Sequence, residues 1–272
     1  MGIWGKNLTA VFMQTRRAVP RFLESCMSYV LEKYVDEEGI FRIPGDVNKK
    51  TAIRQFADAT DTFDENLTTS PFEVCNVITQ FIRDIPDSIL MNSNLQTVIE
   101  IYDVNDAKDF VNTLYFINRA LFSRIIAFFT LITKHPSNRM NASNIAIILS
   151  PILICDPQNP AFILPKNIIE IFLNHYDEVF STIPALLPNG EWMPSEQYEK
   201  SLGDLTESFF CQSTYINPKI SSMEDVEKKL EPSEQICRNI SIDEDNIGHI
   251  LKFLLCSDRD EMAISEQILE NL

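Results

Sequence analysis

The sequence predicts an all-α fold, and two observations carry that expectation. Apolar residues recur at three- and four-residue spacing in one segment after another up to about residue 185, and strand-type alternation is hard to find over any useful length. A third observation limits the helical body. The 272 residues carry a net charge of −16, of which about −5 falls on residues 1–185 and about −11 on the rest. The expected architecture is therefore a helical bundle over 1–185 followed by an acidic, partly disordered extension over 186–272.

From Pro20 to Tyr34, the apolar residues Leu23, Cys26, Met27, Val30 and Tyr34 keep a 3.6-residue period, and Pro20 suits the first position of a helix. Asp36-Glu37-Glu38-Gly39 reads as a turn. Gly45-Asp46 then offers an N-cap to a second helical pattern carrying Ile53, Phe56 and Ala57, which leaves Ile40 to Pro44 on a loop between two helices. Further helices are expected at Phe72–Arg83, Gln96–Tyr102, Ala107–Lys134, Ala142–Leu149 and Asn167–Phe180. The most apolar stretch, Ala120–Ile132, is interrupted by Ser123 and Arg124 and falls short of the roughly 20 residues of a membrane span, so it reads as a buried core helix. Asp156 to Pro160 reads as a loop, and the proline and glycine cluster from Pro184 to Pro194 as a boundary that ends the compact domain near Ala185. Beyond it, Ser195–Ile240 is too polar to build a core, while Ile247–Leu255 and Met262–Leu272 have the pattern of two short amphipathic helices.

Composition narrows the function. The acidity argues against a protein that neutralises phosphates over a broad surface, so nucleic acid is not an expected partner. No glycine-rich turn ends in Gly-Lys-Ser/Thr, since Gly5-Lys6 is followed by Asn7, and the chain is not itself expected to be a GTPase. His135, His175 and His249 are far apart in sequence, and the six cysteines form no Cys-x-x-Cys pair, so no metal site is expected. That cysteine usage fits a reducing compartment, with Cys26 and Cys75 read as core thiols. No nucleophile-elbow pattern supports a hydrolase. The opening residues lack an apolar signal core and carry Lys6 where a myristoylation motif wants Ser or Thr. Glycosylation-type triplets such as Asn7-Leu8-Thr9 and Asn66-Leu67-Thr68 read as chance.

What stands apart is Glu38-Gly39-Ile40-Phe41-Arg42-Ile43-Pro44-Gly45, an arginine between two apolar residues on a glycine-flanked loop. Taken alone it is ambiguous, because Phe41 and Ile43 can pin a loop while Arg42 merely points into solvent. Two further stretches change this: Val77 to Leu90, V-I-T-Q-F-I-R-D-I-P-D-S-I-L, and Asn138 to Pro151, N-R-M-N-A-S-N-I-A-I-I-L-S-P. In order and spacing, the three together resemble the signature blocks of the RhoGAP domain family. That family typically carries a G-I-F-R loop, a helix ending L-K-x-Y/F-L-R-E-L-P-E-P, and N-K/R-M-x-x-x-N-L-A-x-x-F-x-P. Trp4-Gly5-Lys6-Asn7-Leu8 and Val19-Pro20 are similar to its N-terminal segment, and the resemblance covers residues 3–185.

The resemblance implies that Arg42 is an arginine finger, that Arg83 supports the finger loop and the GTPase-facing surface, and that Asn144 contacts the GTPase. Asn138 is then structural, and Arg139 fills the usual basic position after it. The implied activity is stimulation of GTP hydrolysis by a Rho- or Rac-type small GTPase in its GTP-bound state, without independent enzymatic activity. No cofactor is implied, because GTP and Mg²⁺ belong to the partner. A cytoplasmic monomer without a membrane segment, recruited to membranes through its GTPase, is the corresponding expectation. The chemistry is consistent: phosphoryl transfer to water builds charge on phosphate oxygens, and a planar, permanently charged guanidinium delivered in trans stabilises it. Three departures matter. Thr79 stands two residues before Phe81 where the family usually has Lys, which removes one positive contact; Ser88 replaces the second proline of P-E-P; and Ser150 replaces a common glycine, the last two expected to be tolerated. Thr79 favours a rival reading, a RhoGAP-like module that binds GTPases or other proteins without accelerating hydrolysis. The acidic extension reads as solvating rather than autoinhibitory.

Overall fold

The computed structural model describes residues 2–90, 94–154 and 162–203. The expectations placed on Asp156–Pro160, on the extension beyond residue 203 and on His249 lie outside these residues. Among the described residues the regular structure is helical, and extended pairing is limited to an isolated antiparallel bridge between Leu186 and Trp192. In chain order the helices are α1 (Leu8–Thr15), α2 (Arg21–Lys33), α3 (Val47–Thr60), α4 (Pro71–Arg83), α5 (Leu95–Ile99), α6 (Val104–Thr113), α7 (Phe116–Thr133), α8 (Ala142–Leu149), α9 (Lys166–Asn174) and α10 (Tyr176–Val179). An eleventh, α11, covers residues 195–203.

The helix starts follow local chemistry. The Asp46 side chain accepts from the Lys49 N–H to open α3, and α4 begins with Pro71 inside a Ser70/Glu73 capping box. α4 buries Val74, Cys75, Val77, Ile78, Phe81 and Ile82 on one face, each large side chain contributing about 1.5–3 kcal/mol. That face packs on α2 and α3, whereas α9 packs on α6, α7 and α8. α7 touches α1, α2, α8, α9 and α10 and so joins the two groups. It has the length and apolarity of a membrane span, yet 72% of it is buried inside the protein, as befits a core helix. Phe56 departs from the expected apolar face of α3: Ile53 and Ala57 are buried, but Phe56 stays at the rim.

Two expected helices are divided. Ala107–Lys134 is α6 and α7, separated at Leu114 and Tyr115, both in extended backbone, and α6 starts earlier, at the Asp103/Asp106 capping box. No proline or glycine marks the break. Its reason is tertiary, since the turn lets the apolar face of α6 reach α9 and α10 while α7 runs through the core. Asn167–Phe180 is likewise α9 and α10, divided at His175.

The packed body extends past the expected boundary near Ala185, with the first compact unit spanning Met1–Leu205. The anchor is Arg124, fully buried in α7. Its Nε and Nη2 each donate to a Glu24 carboxylate oxygen at 2.8 Å, Nη1 donates to the Ala185 carbonyl at 2.9 Å, and Nη2 also donates to the Met193 carbonyl at 2.7 Å. The guanidinium carbon lies 3.4 Å from the Trp192 ring centre and 4.9 Å from that of Tyr198. α11 then closes the seam. Tyr198 is fully buried and donates to the Ala120 carbonyl at 2.8 Å, Glu196 pairs with Arg17 at 2.8 Å, and Glu199 accepts from the Val19 N–H at 3.1 Å. Averaged over a long acidic stretch, this short pattern of Tyr198 and Leu202 on one face disappears, which is why composition assigned residues 195–203 to the extension. The core thiols behave as expected: Cys26 and Cys75 are free and buried, and burial raises both, Cys75 to about 12.

Candidate functional site

Arg42 sits in a loop pinned on both sides. On the upstream side, Asn138, completely buried, donates to the Val35 carbonyl at 2.6 Å and the Ile132 carbonyl at 3.0 Å, and accepts from the Met140 N–H at 2.7 Å. Asp36 accepts a hydrogen bond from Ser137 and meets His135 Nδ1 at 3.1 Å, and these two contacts hold its carboxyl below the usual carboxylate value. Arg139 pairs with Glu38 at 3.0 Å. The turn between α7 and α8 therefore grips the chain immediately before the loop.

The loop itself is a tight, strained turn. The Gly39 carbonyl accepts from both the Arg42 N–H at 3.0 Å and the Ile43 N–H at 2.9 Å. Gly39 has φ +93°, and a Cβ there would lie 2.4 Å from Ile43 Cδ1, so both conformation and space require glycine. Phe41 occupies the left-handed region at φ 62°, a conformation that costs a non-glycine residue about 1–2 kcal/mol. It is held there because Ile40 is fully buried and the Phe41 ring packs edge-on against Phe129 and Phe128, with centres 5.0 and 5.8 Å apart. Arg42, the next residue, is exposed, and its guanidinium has no hydrogen-bond or ion-pair partner among the described residues.

α4 fixes the downstream side. Asn76 donates to the Ile43 carbonyl at 3.2 Å and to the Phe72 carbonyl at 2.8 Å. Gly45 approaches so closely that a Cβ would stand 2.5 Å from the Glu73 nitrogen, and the Asp46 N–H donates to Glu73 Oε1 at 3.2 Å. Burial pushes the Glu73 carboxyl up, but hydrogen bonds from the Thr68 and Ser70 side chains and from the Asp46 and Ser70 backbones outweigh it, leaving Glu73 below its ordinary value.

Beside the loop lies a groove of about 430 Å³ bounded by α3, α4 and the end of α8, with Phe41 and Trp4 in its wall. Arg83 and Thr79 both line it. Arg83 is exposed and donates to Gln80 Oε1 at 3.2 Å. The Thr79 hydroxyl turns back onto its own helix, to the Asn76 carbonyl at 3.1 Å and the Cys75 carbonyl at 3.3 Å. Asn144 is half-buried and is not part of the groove wall. Its side chain donates to the Arg139 carbonyl at 2.9 Å, and Arg139 in turn pairs with Glu38. Arg83 and Thr79 thus share one groove, Arg42 follows Phe41 of its wall without itself lining it, and Asn144 lies outside the wall, bonded to the Arg139 carbonyl.

Two departures from the resemblance acquire structural content. Ser88 has φ 59°, a region that the ring of proline forbids, so serine for proline there is not a neutral exchange. The Ser150 hydroxyl is buried without a hydrogen-bond partner among the described residues. Lys50 and Arg54, which also line the groove, were not singled out by sequence. Their signal was present as a polar i, i+4 pair on α3, bordering the apolar stripe of Ile53 and Ala57 that drew attention. Among the described residues, no group of three His, Cys, Asp or Glu side chains converges to hold a metal.

Comparison with known proteins bears on this geometry. The RhoGAP domain family model matches residues 20–158. The chain is 24% identical over 194 residues to Rho GTPase-activating protein gacJ of Dictyostelium discoideum, covering 66% of this chain and 21% of that protein. It is 24% identical over 159 residues to Rho GTPase-activating protein 7 of Homo sapiens, covering 56% of this chain and 10% of that protein. The chain thus matches about a fifth or less of the length of these curated relatives. Among solved structures, human Rho GTPase activating protein 15 is similar with a TM-score of 0.61 at 21% identity, over 66% of this chain and 92% of that one. The BH domain from GRAF, the GTPase regulator associated with focal adhesion kinase, has a TM-score of 0.52 at 17% identity, over 60% and 94%. At these identities the structural likeness speaks to the fold.

Proposed function

The chain belongs to the RhoGAP domain family, and from that premise we propose that it stimulates GTP hydrolysis by a Rho-family small GTPase, with Arg42 inserted in trans into the partner's active site. The observation that carries this reading is the exposed, unpartnered Arg42 guanidinium on a loop whose backbone is fixed on both sides. A finger tied into an ion pair would have to break it on docking. Here the strain at Phe41 is held by core packing, so the loop needs little rearrangement to deliver its charge. As hydrolysis proceeds, negative charge accumulates on the transferred phosphate and the leaving oxygen, and a guanidinium donates to both. Such a finger is worth on the order of 10³–10⁵ in rate, or about 4–7 kcal/mol. Arg83 belongs to the GTPase-facing groove and Asn144 holds the loop's base through Arg139 and Glu38. GTP and Mg²⁺ are the partner's; this chain contributes no cofactor.

The test is single-turnover phosphate release from GTP-loaded Rho- and Ras-family GTPases with wild-type protein and Arg42→Ala in parallel. Stimulation of a Rho-family member, lost in the variant while GTP-dependent binding persists, is the expected result. A specific observation favours the rival reading of a binding module without acceleration: Thr79 turns its hydroxyl inward and leaves that part of α4 without a cation. GTP-dependent binding with no stimulation by wild-type protein would select it.

A further inference from the structure

We propose that the groove-facing side of α3, centred on Lys50, is a second recognition surface that reads an acidic segment of the GTPase. This rests on the partner assigned above. Val47, Lys50, Thr51 and Arg54 follow i, i+3, i+4, i+7 spacing and all line the groove, so one continuous face of α3 is turned toward it. Val47 is 68% exposed, a large apolar side chain left uncovered at the start of that face. Among the described residues, Lys50, Arg54 and Arg83 are the charged residues of the groove wall and no carboxylate lines it, in a chain whose net charge is −16. A cationic furrow selects for an acidic occupant.

The three cations are not equivalent. Arg54 lies over the Trp4 ring at 5.1 Å and 4.0 Å from Asp84, which is itself bonded to the Trp4 indole N–H at 2.7 Å. Arg83 is engaged by Gln80, and the neighbouring Lys49 by Thr69. Lys50 alone of these four has a side chain with no hydrogen-bond or ion-pair partner among the described residues, although it is half-buried. Across the groove, Thr79 presents no charge, its hydroxyl being spent on α4's own carbonyls. The recognition cation of this groove therefore stands on α3, and Lys50 acts on partner capture while Arg42 acts on the reaction.

The experiment is single-turnover hydrolysis by the responsive GTPase, titrated with wild-type, Lys50→Ala, Lys50→Glu and Arg42→Ala protein at two salt concentrations, with thermal unfolding as a control. Lys50→Glu is expected to raise the half-saturating concentration about tenfold, and Lys50→Ala by a few-fold, with the saturated rate unchanged and a weaker salt dependence than wild type. Wild-type half-saturation in Lys50→Glu overturns the inference while leaving the finger intact, whereas an undiminished saturated rate in Arg42→Ala overturns the finger alone. If no GTPase is stimulated, the same variants are compared in binding to GTP-analogue-loaded GTPases, where Lys50→Glu must bind more weakly for the inference to stand. Lys50-dependent binding to vesicles of anionic phospholipid, without any effect on GTPase binding, would replace it with a membrane role.

Discussion

Two arginines divide the chemistry of this molecule. Arg42 and Arg124 have similar local sequence, each followed by isoleucine and each among aromatic and aliphatic neighbours. Arg124 is fully buried, its guanidinium shared between Glu24, two backbone carbonyls and the faces of Trp192 and Tyr198. Arg42 is exposed and its guanidinium has no partner among the described residues, and the hydrogen bonds that flank it in the loop end on the Gly39 and Ile43 carbonyls rather than on its head group. The comparison teaches that a guanidinium used for structure is satisfied within the fold, whereas one kept for a partner is left free on a backbone that is satisfied for it.

The sharpest way to separate them is the largest effect. Arg42→Ala should lower the saturated single-turnover rate by about 10³–10⁵ with the unfolding midpoint unchanged, and Arg42→Lys should recover little, because an ammonium lacks the planar fork. Arg124→Ala should do the opposite. It leaves Glu24 as a buried carboxylate without its partner and uncaps two carbonyls, so a loss of about 3–5 kcal/mol is expected, read as a lowered denaturant midpoint. At a temperature where the variant is still folded, its saturated rate should stay near wild type. A large rate loss in folded Arg124→Ala would mean that the seam and the loop are coupled, and the division would fall.

This division was legible in the sequence only in part. The ordered blocks around Gly39, Val77 and Asn138 announced the family, and periodicity with capping residues located α2, α3, α4 and α8 closely. The breaks at Leu114 and His175 were invisible because the apolar pattern runs on through them without proline or glycine, and long-range packing decided the chain direction. Arg124 was noticed as an interruption of an apolar run, but its partners lie about 60 to 100 residues away in sequence, at Glu24, Ala185 and Met193. The resemblance implies that Asn144 contacts the GTPase; its bond to the Arg139 carbonyl is a contact that spacing alone cannot reveal, and it leaves the amide oxygen and second N–H for other partners.

A smaller effect tests whether the loop's fixed backbone matters. Gly39→Ala must place a Cβ at φ +93° and 2.4 Å from Ile43 Cδ1. The expected destabilisation is about 1–3 kcal/mol, and the expected fall in saturated rate about tenfold, because the guanidinium is displaced while its charge is intact. The same stability loss with an unchanged rate would show that a flexible loop delivers Arg42 equally well, and preorganisation would be the wrong account of its freedom.

The smallest effect is one of pH, and it acts on the loop's downstream side. Glu73 accepts from the Asp46 N–H that opens α3, from Thr68 and from Ser70, and its folded-state pKa lies below the ordinary value of 4.5. A depressed carboxylate contributes stability that is fully present above its unfolded pKa and disappears as pH falls through the folded one. Denaturant midpoints measured from neutral pH downward should therefore fall in acid more steeply for wild-type protein than for Glu73→Gln, which has no proton to gain. At neutral pH wild type should stand above the variant, since an amide places a donor among the donors that Glu73 accepts from. Parallel acid limbs in the two proteins would mean that the carboxylate is not what ties α4 to the loop, and the close approach of Gly45 to the Glu73 backbone would be left to hold it.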